Sequence, residues 1–347
     1  LVDDQGWRIE IKRHPELVAV GATRPESVQY GDRPRFQEDG SFTYLMDGKP
    51  YGPYFYTQSD IREIIAYAKA RHIRIVPEIE LPGHERALLA AHPELPCEGA
   101  SLPRVPRTYW SIETDVLCAG NDGAIKLMEE ILDEVCDLFS ESPVIHLGGD
   151  ECPKTRWKAC DKCQARIKAQ GLKDEKALQA WFVSHFTRYL ESKGRRTIGW
   201  DEILEGDIPK SAIVMAWRQK RPGRENVLTP AEIARRGFDV VATPTTPCYL
   251  DYRQGVLADP FAYYSDCTNS LERCFAFNPA AGVPFSDRAH VLGGQGNCWT
   301  ECTRDYLELV WKTWPRATAL AEAMWSACSA RCIRWLPRIT ASIPKFT

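Results

Sequence analysis

The sequence has no long hydrophobic run and no strong excess of charge of either sign. No apolar stretch approaches the roughly 18 residues that a transmembrane helix needs. The formal net charge is −3 and no basic run is present, which argues against a nucleic-acid-binding surface. No G-x-G-x-x-G or P-loop pattern follows a predicted strand, so nucleotide binding is disfavoured. These absences predict a protein without a membrane span and without a nucleic-acid partner.

Cysteine is neither scarce nor abundant. The 347-residue chain has 13 cysteines, far fewer than the roughly 8–10% of a disulfide scaffold, so they do not reveal the compartment. Cys152, Cys160 and Cys163 lie close together, with Cys160-x-x-Cys163 inside the group. Zinc would need a fourth ligand and no second C-x-x-C lies nearby, so a reduced or structural cluster is favoured over a metal site. The sequence therefore predicts no metal and no cofactor.

What the sequence does contain is an alternation of apolar strands and amphipathic helices. Helices are predicted at 59–68, 125–139, 177–192, 230–236 and 316–326. Strands are predicted at 72–80, 144–147, 196–200, 212–217, 238–242 and 291–296. This order implies parallel βαβ units, arranged as either a (β/α)8 barrel or a doubly wound sheet. The barrel is favoured because a polar or aromatic group follows nearly every strand, and a barrel points all such groups at one mouth.

We expect one domain over residues 1–347, with long insertions near 22–56, 93–118 and 253–289. The first residues read as the end of a strand, so we expect further sequence upstream of Leu1. No targeting segment is visible in the residues given, which leaves localisation unassigned. For the intact protein an extracytoplasmic compartment is expected: periplasmic, secreted or lysosome-like.

Two adjacent carboxylates, Asp150 and Glu151, follow the 144–147 strand after a pair of glycines. Gly148 and Gly149 let the backbone turn tightly and allow a close approach. Because adjacent acids repel, burial would push their pKa values apart, so that one stays ionised while the other keeps a proton. Glycoside cleavage needs this division of labour. The alternative is a helix N-terminus, where the helix dipole favours two acids.

Similar groups follow the other predicted strands. The candidate set is Asp3, Asp4, His84, Asp150, Glu151, Trp200, Trp217, Tyr249, Asp251, Trp299 and Glu301. The aromatic side chains would wall a small amphipathic ring or amide, and the carboxylates would hold hydroxyls and transfer protons. Each tryptophan alone fits a hydrophobic core better, but their recurrence after several strands indicates a pocket.

Several of these groups lie in short segments that resemble one known family. The segments are 3–7, 77–79 with 82–84, 146–151, 199–202, 216–217, Tyr249 with Asp251, 294–295 with Trp299 and Glu301, and 314–316. In this order they resemble the catalytic domain of glycoside hydrolase family 20, the β-N-acetylhexosaminidases, over about residues 1–326. The resemblance implies a (β/α)8 TIM barrel. The family's first strand, which carries an arginine for the sugar O3 and O4 hydroxyls, and most of the second strand find no match, so the barrel is expected to lack them.

The resemblance also implies a retaining mechanism in which the substrate's 2-acetamido oxygen is the nucleophile and an oxazolinium ion is the intermediate. It assigns Glu151 as general acid and then base, Asp150 as the anion that accepts the acetamide N–H, and Tyr249 as donor to the acetamide oxygen. The remaining implied roles are pocket walls for Trp200, Trp217 and Trp299, hydroxyl binding for Asp251 and Glu301, and tuning of Glu151 by His84 with either Asp3 or Asp4.

The implied activity is removal of terminal, non-reducing β-linked N-acetylglucosamine or N-acetylgalactosamine from an oligosaccharide. One alternative is a carbohydrate-binding barrel without turnover. Another is a hydrolase of plain glucosides or galactosides, which is disfavoured because Asp150 and Glu151 are adjacent in sequence, whereas a retaining pair spans the scissile bond about 5–5.5 Å apart. Such barrels often pair, so a homodimer is one option, and the sequence leaves the oligomeric state open.

Overall fold

The structure is a computed structural model that describes residues 2–32, 34–37, 42–100, 102–255 and 267–326. The chain divides into two compact units, the first ending at Val214 and the second beginning at Met215. The single domain expected over residues 1–347 stays a prediction. Part of the insertion expected at 253–289 lies outside the described residues. Among those that are described, no helix has the length and apolar character needed to cross a membrane.

The first unit alternates short strands with helices. Its elements are β1 (Val2–Asp3), β2 (Gly6–Trp7), α1 (Glu16–Gly21), β3 (Arg35–Phe36), β4 (Phe42–Thr43), α2 (Gln58–Lys69), α3 (Arg86–Ala91), α4 (Asp122–Leu138), β5 (Val144–His146), α5 (Thr155–Ala159), α6 (Asp161–Ala169), α7 (Glu175–Ser192) and β6 (Arg196–Trp200). A 3-10 helix, Asp201–Glu205, follows β6, and β7 (Ile213–Ala216) contains the boundary between the units. Strands β5 and β6 are parallel, with Val144 opposite Arg196.

The predicted helices of this unit form where local signals are strong. Helix α2 begins at a capping box, in which the Thr57 side chain accepts from the Asp60 N–H and the Asp60 carboxylate accepts from the Thr57 N–H. Helix α4 buries the apolar face that its 3.6-residue period predicts. That face comprises Leu127, Met128, Ile131, Leu132 and Val135. These helices confirm the predictions at 59–68 and 125–139.

The strand predicted at 72–80 is shorter than expected. The turn that ends α2 uses its first residues, since Ile73 N–H donates to Ala68 O while His72 adopts a left-handed conformation with φ 59°. Only the last part pairs with β5. Ile79 N–H donates to His146 O at 2.9 Å, and His146 N–H donates to the carbonyl of residue 77 at 2.9 Å. The prediction over 72–76 was therefore wrong, because the helix-ending turn competes with strand formation.

Two of the predicted insertions fold back on themselves. In the 22–56 insertion β3 pairs antiparallel with β4, and Val28 lies opposite Met46 in a further antiparallel bridge. In the 93–118 insertion Pro96 lies opposite Leu117, which brings the two ends of the loop together. The first insertion is thus a small β excursion, and the second is a loop with a paired base.

The second unit continues the alternation. Its elements are α8 (Pro230–Arg235), β8 (Asp239–Ala242), α9 (Thr245–Cys248), α10 (Leu271–Phe275), a 3-10 helix (Phe285–His290), β9 (Val291–Gly294), α11 (Tyr306–Thr313) and α12 (Arg316–Trp325). Thr229 caps α8 in a capping box with Glu232. Strands β8 and β9 are parallel. Side chains from β8, α10 and α12, including Phe275 and Leu320, form the core of this unit.

Candidate active site

Asp150 and Glu151 follow β5 through a turn that only glycines permit. Gly148 and Gly149 have φ values of 63° and 94°. A Cβ on Gly148 would lie 1.5 Å from Glu80 Oε2, and a Cβ on Gly149 would lie 2.5 Å from a side-chain carbon of Ile203. Glu151 itself has a φ of 41°, a left-handed conformation that is strained for a residue with a side chain. The predicted tight turn and close approach are therefore both present.

Hydrogen bonds from beyond the turn fix its backbone. Gln179, a buried residue of α7, donates from Nε2 to Gly149 O at 2.7 Å. Lys154 Nζ donates to Cys152 O at 2.6 Å and also contacts the Gln179 amide oxygen. The segment carrying Glu151 is thus held on both sides.

His84 lies between two aspartates. Its Nδ1 is 3.1 Å from Asp4 Oδ2, and its Nε2 is 3.5 Å from Asp150 Oδ2 and 3.7 Å from Glu151 Oε2. Burial alone would lower the pKa of His84, but the negative charges of Asp150 and Asp4 outweigh burial and hold that pKa well above its ordinary value. His84 is therefore an imidazolium near neutral pH, and it places a positive charge beside the Asp150 carboxyl group.

Asp4, not Asp3, is the inward-pointing member of the N-terminal pair. Its side chain is 0% exposed, whereas that of Asp3 is 50% exposed. Asp4 accepts from His84 and, at 3.1 Å, from the backbone N–H of Arg86. Asp3 accepts from the Asp4 backbone N–H at 2.6 Å, and its Oδ1 lies farther from His84 Nδ1, at 3.5 Å. Asp4 is therefore the buried partner of His84, and Asp3 is the exposed one.

Two carboxylates that were not among the predicted site residues, Glu78 and Glu80, lie close to the 148–151 turn. Burial and the neighbouring carboxylates raise the pKa of Glu80, which packs against Gly148, well above its ordinary value. Burial also acts to raise the pKa of Glu78, but His146, 2.8 Å away, outweighs burial and lowers that pKa to about 2. Their i, i+2 spacing was the one sequence feature that could have identified them, because it places both side chains on the same face of an extended segment.

Trp200 follows β6 in the same unit. It is 2% exposed, and its indole N–H donates to Glu78 Oε1 at 3.2 Å. Its ring meets that of His146 edge-on, with centroids 5.0 Å apart. Trp200 therefore packs against the Glu78 carboxylate, and little of its ring surface is exposed to solvent.

The second unit gathers the other predicted aromatic residues around Tyr249. Trp217 stacks on Tyr249 with centroids 6.3 Å apart and an interplanar angle of 22°. Trp299 lies 6.1 Å from Tyr249 at 54°, and Tyr252, which the sequence did not single out, lies 5.5 Å away. We call these four residues the aromatic cluster. Their rings provide apolar faces together with phenol and indole donors.

Two acids accompany the aromatic cluster. Burial raises the pKa of Asp251 to about 7, and the charge of Glu301 adds to the effect. Burial likewise raises the pKa of Glu301. Within the described part of the chain, Asp251 Oδ1 is buried without a hydrogen-bond partner. A buried acceptor of this kind suits a donor supplied by a ligand, such as a sugar hydroxyl.

Arg316 holds the segment that carries Tyr249. Its side chain is 0% exposed. The guanidinium donates to the backbone carbonyls of Tyr252 and Asn269, both at 2.9 Å, and to that of Leu250. The sequence marked the 314–316 segment but gave Arg316 no role, because carbonyl partners 47 to 66 residues away leave no local pattern.

Residues 1–328 match the Glycosyl hydrolase family 20 catalytic domain. The chain belongs to this family. It is 40% identical to a β-hexosaminidase of Porphyromonas gingivalis, over 94% of this chain and 38% of that protein. A crystal structure of a β-N-acetylhexosaminidase matches with a TM-score of 0.82 and 28% identity, covering 98% of this chain and 67% of the other. A Vibrio harveyi family 20 exo-β-N-acetylglucosaminidase, in complex with N-acetylglucosamine, matches with a TM-score of 0.75 and 30% identity, covering 98% and 51%.

The match confirms the predicted fold class, the TIM barrel of glycosyl hydrolase family 20. It also confirms the family named from the Asp150-Glu151 turn and its accompanying segments. The family 20 chain spans less than half the length of its P. gingivalis relative. The role of each site residue stays a prediction at this point.

The predicted cysteine group in this family 20 chain was wrong. Cys160 and Cys163 lie with Cys97 and Cys118, and all four Sγ atoms are within 4.8 Å of one another. Cys152 lies outside this group. Two of the four members come from the 93–118 insertion, so sequence spacing around Cys160-x-x-Cys163 did not reveal them.

Proposed function

We propose that this chain is an exo-acting β-N-acetylhexosaminidase that hydrolyses terminal, non-reducing β-linked N-acetylglucosamine or N-acetylgalactosamine by a retaining, substrate-assisted mechanism. The observation that carries the proposal is the strained Asp150-Glu151 turn with the His84 imidazolium against Asp150. Family membership and the names of the matching proteins support it.

In the first step the substrate's acetamide oxygen attacks the anomeric carbon while the bond to the leaving oxygen breaks. Glu151 gives its proton to that oxygen, and an oxazolinium ion forms. The Glu151 side chain is 34% exposed, against 14% for Asp150. Glu151 is therefore the carboxyl group better able to reach a substrate oxygen and to exchange its proton with water.

In the second step Glu151, now a carboxylate, takes a proton from water. The resulting hydroxide attacks the anomeric carbon, the bond to the acetamide oxygen breaks, and the sugar leaves with its original β configuration. Two inversions at one carbon give net retention.

Asp150 stabilises the positive charge that develops on the acetamide group. As the oxygen attacks, positive charge spreads to the nitrogen, and an ionised Asp150 stabilises it by accepting the N–H. The Asp4–His84–Asp150 series supports this role, because the His84 imidazolium lies 3.5 Å from Asp150 Oδ2 and Asp4 orients the ring through Nδ1. We assign His84 as a positioning residue.

The residues of the second unit are assigned to substrate recognition. Tyr249 donates to the acetamide oxygen, and Trp217 and Trp299 contact the acetamide methyl and the sugar face. Asp251 and Glu301 bind hydroxyls. The ring contacts around Tyr249 support these roles, and so does Asp251 Oδ1, which has no hydrogen-bond partner among the described residues. Trp200 is assigned to the wall of the pocket. Because it is buried, it supports the other pocket residues more than it contacts the sugar.

The test is release of p-nitrophenol from p-nitrophenyl N-acetyl-β-D-glucosaminide. Glu151→Gln should reduce kcat by about 10²-fold or more, because it removes the proton donor. Glu202→Gln is a matched control, since Glu202 belongs to a second Asp-Glu pair that follows β6 and starts a 3-10 helix. The control should retain wild-type kcat.

The 2-hydroxy counterpart, p-nitrophenyl β-D-glucoside, separates the proposed mechanism from conventional paired-carboxylate catalysis. It lacks the acetamide nucleophile and should not be turned over. An N-trifluoroacetyl substrate should react more slowly, because fluorine makes the carbonyl oxygen less nucleophilic. Equal rates on all three substrates would contradict substrate assistance. A folded chain that binds N-acetylglucosamine without turnover would favour the carbohydrate-binding alternative.

A homodimer is part of the proposal but depends on no contact described above. Size-exclusion chromatography with light scattering tests it directly, and a monomeric mass would refute it.

A further inference from the structure

Four buried thiols converge in the first unit, and the proposed chemistry uses none of them. Sγ of Cys118 is 3.6 Å from Sγ of Cys160 and 3.6 Å from Sγ of Cys163, and Sγ of Cys97 is 3.8 Å from Sγ of Cys163. All four residues are buried. These separations are far longer than a disulfide bond of about 2.05 Å.

The separations match the edges of a metal tetrahedron. A zinc ion with four thiolates at about 2.3 Å has sulfur–sulfur distances of about 3.8 Å. We propose that Cys97, Cys118, Cys160 and Cys163 bind one zinc ion as a closed, structural tetrathiolate site. Four protein ligands fill the tetrahedron and leave no position for water or substrate, so the ion holds structure and takes no part in hydrolysis.

The backbone around the thiols is built for close convergence. A Cβ on Gly120 would lie 2.2 Å from the carbonyl carbon of Lys162 and 2.5 Å from the backbone nitrogen of Cys163. Only a glycine lets these two segments touch.

The two pairs of ligands come from different parts of the chain. Cys97 and Cys118 lie at the base of the 93–118 insertion, where Pro96 lies opposite Leu117. Cys160 and Cys163 flank the start of α6, with Cys160 directly after α5. A metal ion that joins the pairs therefore clips a long loop to a helical segment, the arrangement in which a cross-link restricts the unfolded chain most.

Other contacts run along the same junction. Arg156 in α5 forms a two-point ion pair with Asp115, at 2.6 and 3.3 Å, and Trp157 Nε1 donates to Leu117 O at 2.9 Å. Helix α5 starts four residues after Glu151. The proposed ion would thus fix the far end of the segment that carries Glu151, but its existence does not depend on the proposed function.

The first measurement needs no variant. Metal analysis of the purified full chain should give one zinc per chain, and X-ray absorption should show four sulfur neighbours at about 2.3 Å. Titration with an organomercurial reagent should release that zinc as thiols are consumed. Replacement with cobalt should produce the intense visible bands of a tetrahedral tetrathiolate.

Variants then locate the ion. Cys163→Ser should reduce the zinc content at least tenfold and lower Tm. Cys136→Ser is the matched control, because Cys136 is a buried cysteine of α4 outside the four-thiol group. The control should keep its zinc. If Cys163→Ser does not fold, the zinc content and absorption spectrum of the wild-type chain still decide the proposal.

Four outcomes would overturn it. Peptide mapping that finds two disulfides among the four cysteines, with no metal bound, would replace the zinc site. Iron in place of zinc would assign a different metal. Four free thiols and no metal, after purification without chelators and incubation with zinc, would show that the cluster is only packing. Zinc retained by Cys163→Ser would locate the ion elsewhere, for instance at His14, Glu16 and His92, whose ligand atoms also lie within 4.8 Å of one another.

Discussion

The Asp4–His84–Asp150 series can be broken by one substitution, His84→Asn. His84 has a φ of 53°, and asparagine tolerates this left-handed conformation better than most residues. The substitution therefore removes the imidazolium while the backbone can keep its course. Asp4, which is fully buried, loses one of its two hydrogen-bond donors, and Asp150 loses the neighbouring cation.

The size of the effect follows from burial. Breaking a buried charge pair by removing one partner costs about 3–5 kcal/mol, because the remaining charge has no compensation. Some of that cost is avoided here, since Asp4 keeps the hydrogen bond from the Arg86 backbone N–H. We expect a loss of about 2–3 kcal/mol in unfolding free energy. Loss of one electrostatic contribution to the transition state corresponds to about 10²-fold in kcat, or about 2.7 kcal/mol.

The pH dependence distinguishes this role from simple packing. The folded-state pKa of His84 lies well above the ordinary value of 6.5. The stability it contributes is therefore fully present below about pH 6.5 and is lost as the pH rises through the folded-state pKa. Wild-type Tm should fall on the alkaline side, and His84→Asn should lack that fall. The assays are thermal unfolding and kcat for the p-nitrophenyl substrate between about pH 6 and pH 10.

A double-mutant cycle completes the test. Asp4→Asn in the His84→Asn background should cost much less than Asp4→Asn in the wild type, because the pair is already broken. The reasoning fails if His84→Asn keeps kcat within about twofold of wild type with an unchanged alkaline limb. It also fails if the two substitutions are additive in unfolding free energy.

Three further predictions concern single residues. Gly148→Ala should reduce the unfolding free energy measured in urea by about 2–4 kcal/mol, because its Cβ would overlap the buried Glu80 carboxylate at a φ of 63°. The control is Gly171→Ala, with a φ of 62° and no atom within 4 Å of its Cβ, which should reduce that free energy by only about 1 kcal/mol. Asp251 has a raised pKa of about 7, so the folded state binds a proton that the unfolded state releases; stability should fall as pH rises from about 4 to about 7, and Asp251→Asn should flatten this part of the Tm profile. Arg316→Lys should lose about 2–4 kcal/mol, because lysine cannot reach several carbonyls at once.

The parts of the fold that the sequence predicts well are those specified by nearby residues. The Thr57 and Thr229 capping boxes start α2 and α8, and the apolar period of α4 gives its buried face. The strand at 72–80 shows the limit. Ile73 fits a strand by composition, but its N–H completes the turn after α2. Hydrogen bonding at the end of α2 therefore prevents Ile73 from joining a strand, and the apolar pattern of 73–76 gives no sign of this.

The site follows the same division. The Asp150-Glu151 turn is local, since two glycines and two acids after a strand are contiguous in the sequence. The choice between Asp3 and Asp4 is not local, because it depends on His84 and Arg86, about 80 residues away. Their neighbouring positions and identical chemistry give no means of choosing. The structure distinguishes the two by the burial of Asp4 and its closer approach to His84.

The four-cysteine group shows why a spacing rule can count ligands incorrectly. Cys160-x-x-Cys163 is a local pair, but its partners are single cysteines 21 residues apart in one insertion. They become neighbours because Pro96 pairs with Leu117, a contact that no sequence pattern marks. A search for a second C-x-x-C therefore excludes a site that is built from one local pair and one loop base. Gly120, two residues after Cys118, is the remaining local feature. It is needed because it lies against the Lys162 backbone, a contact that the sequence does not show.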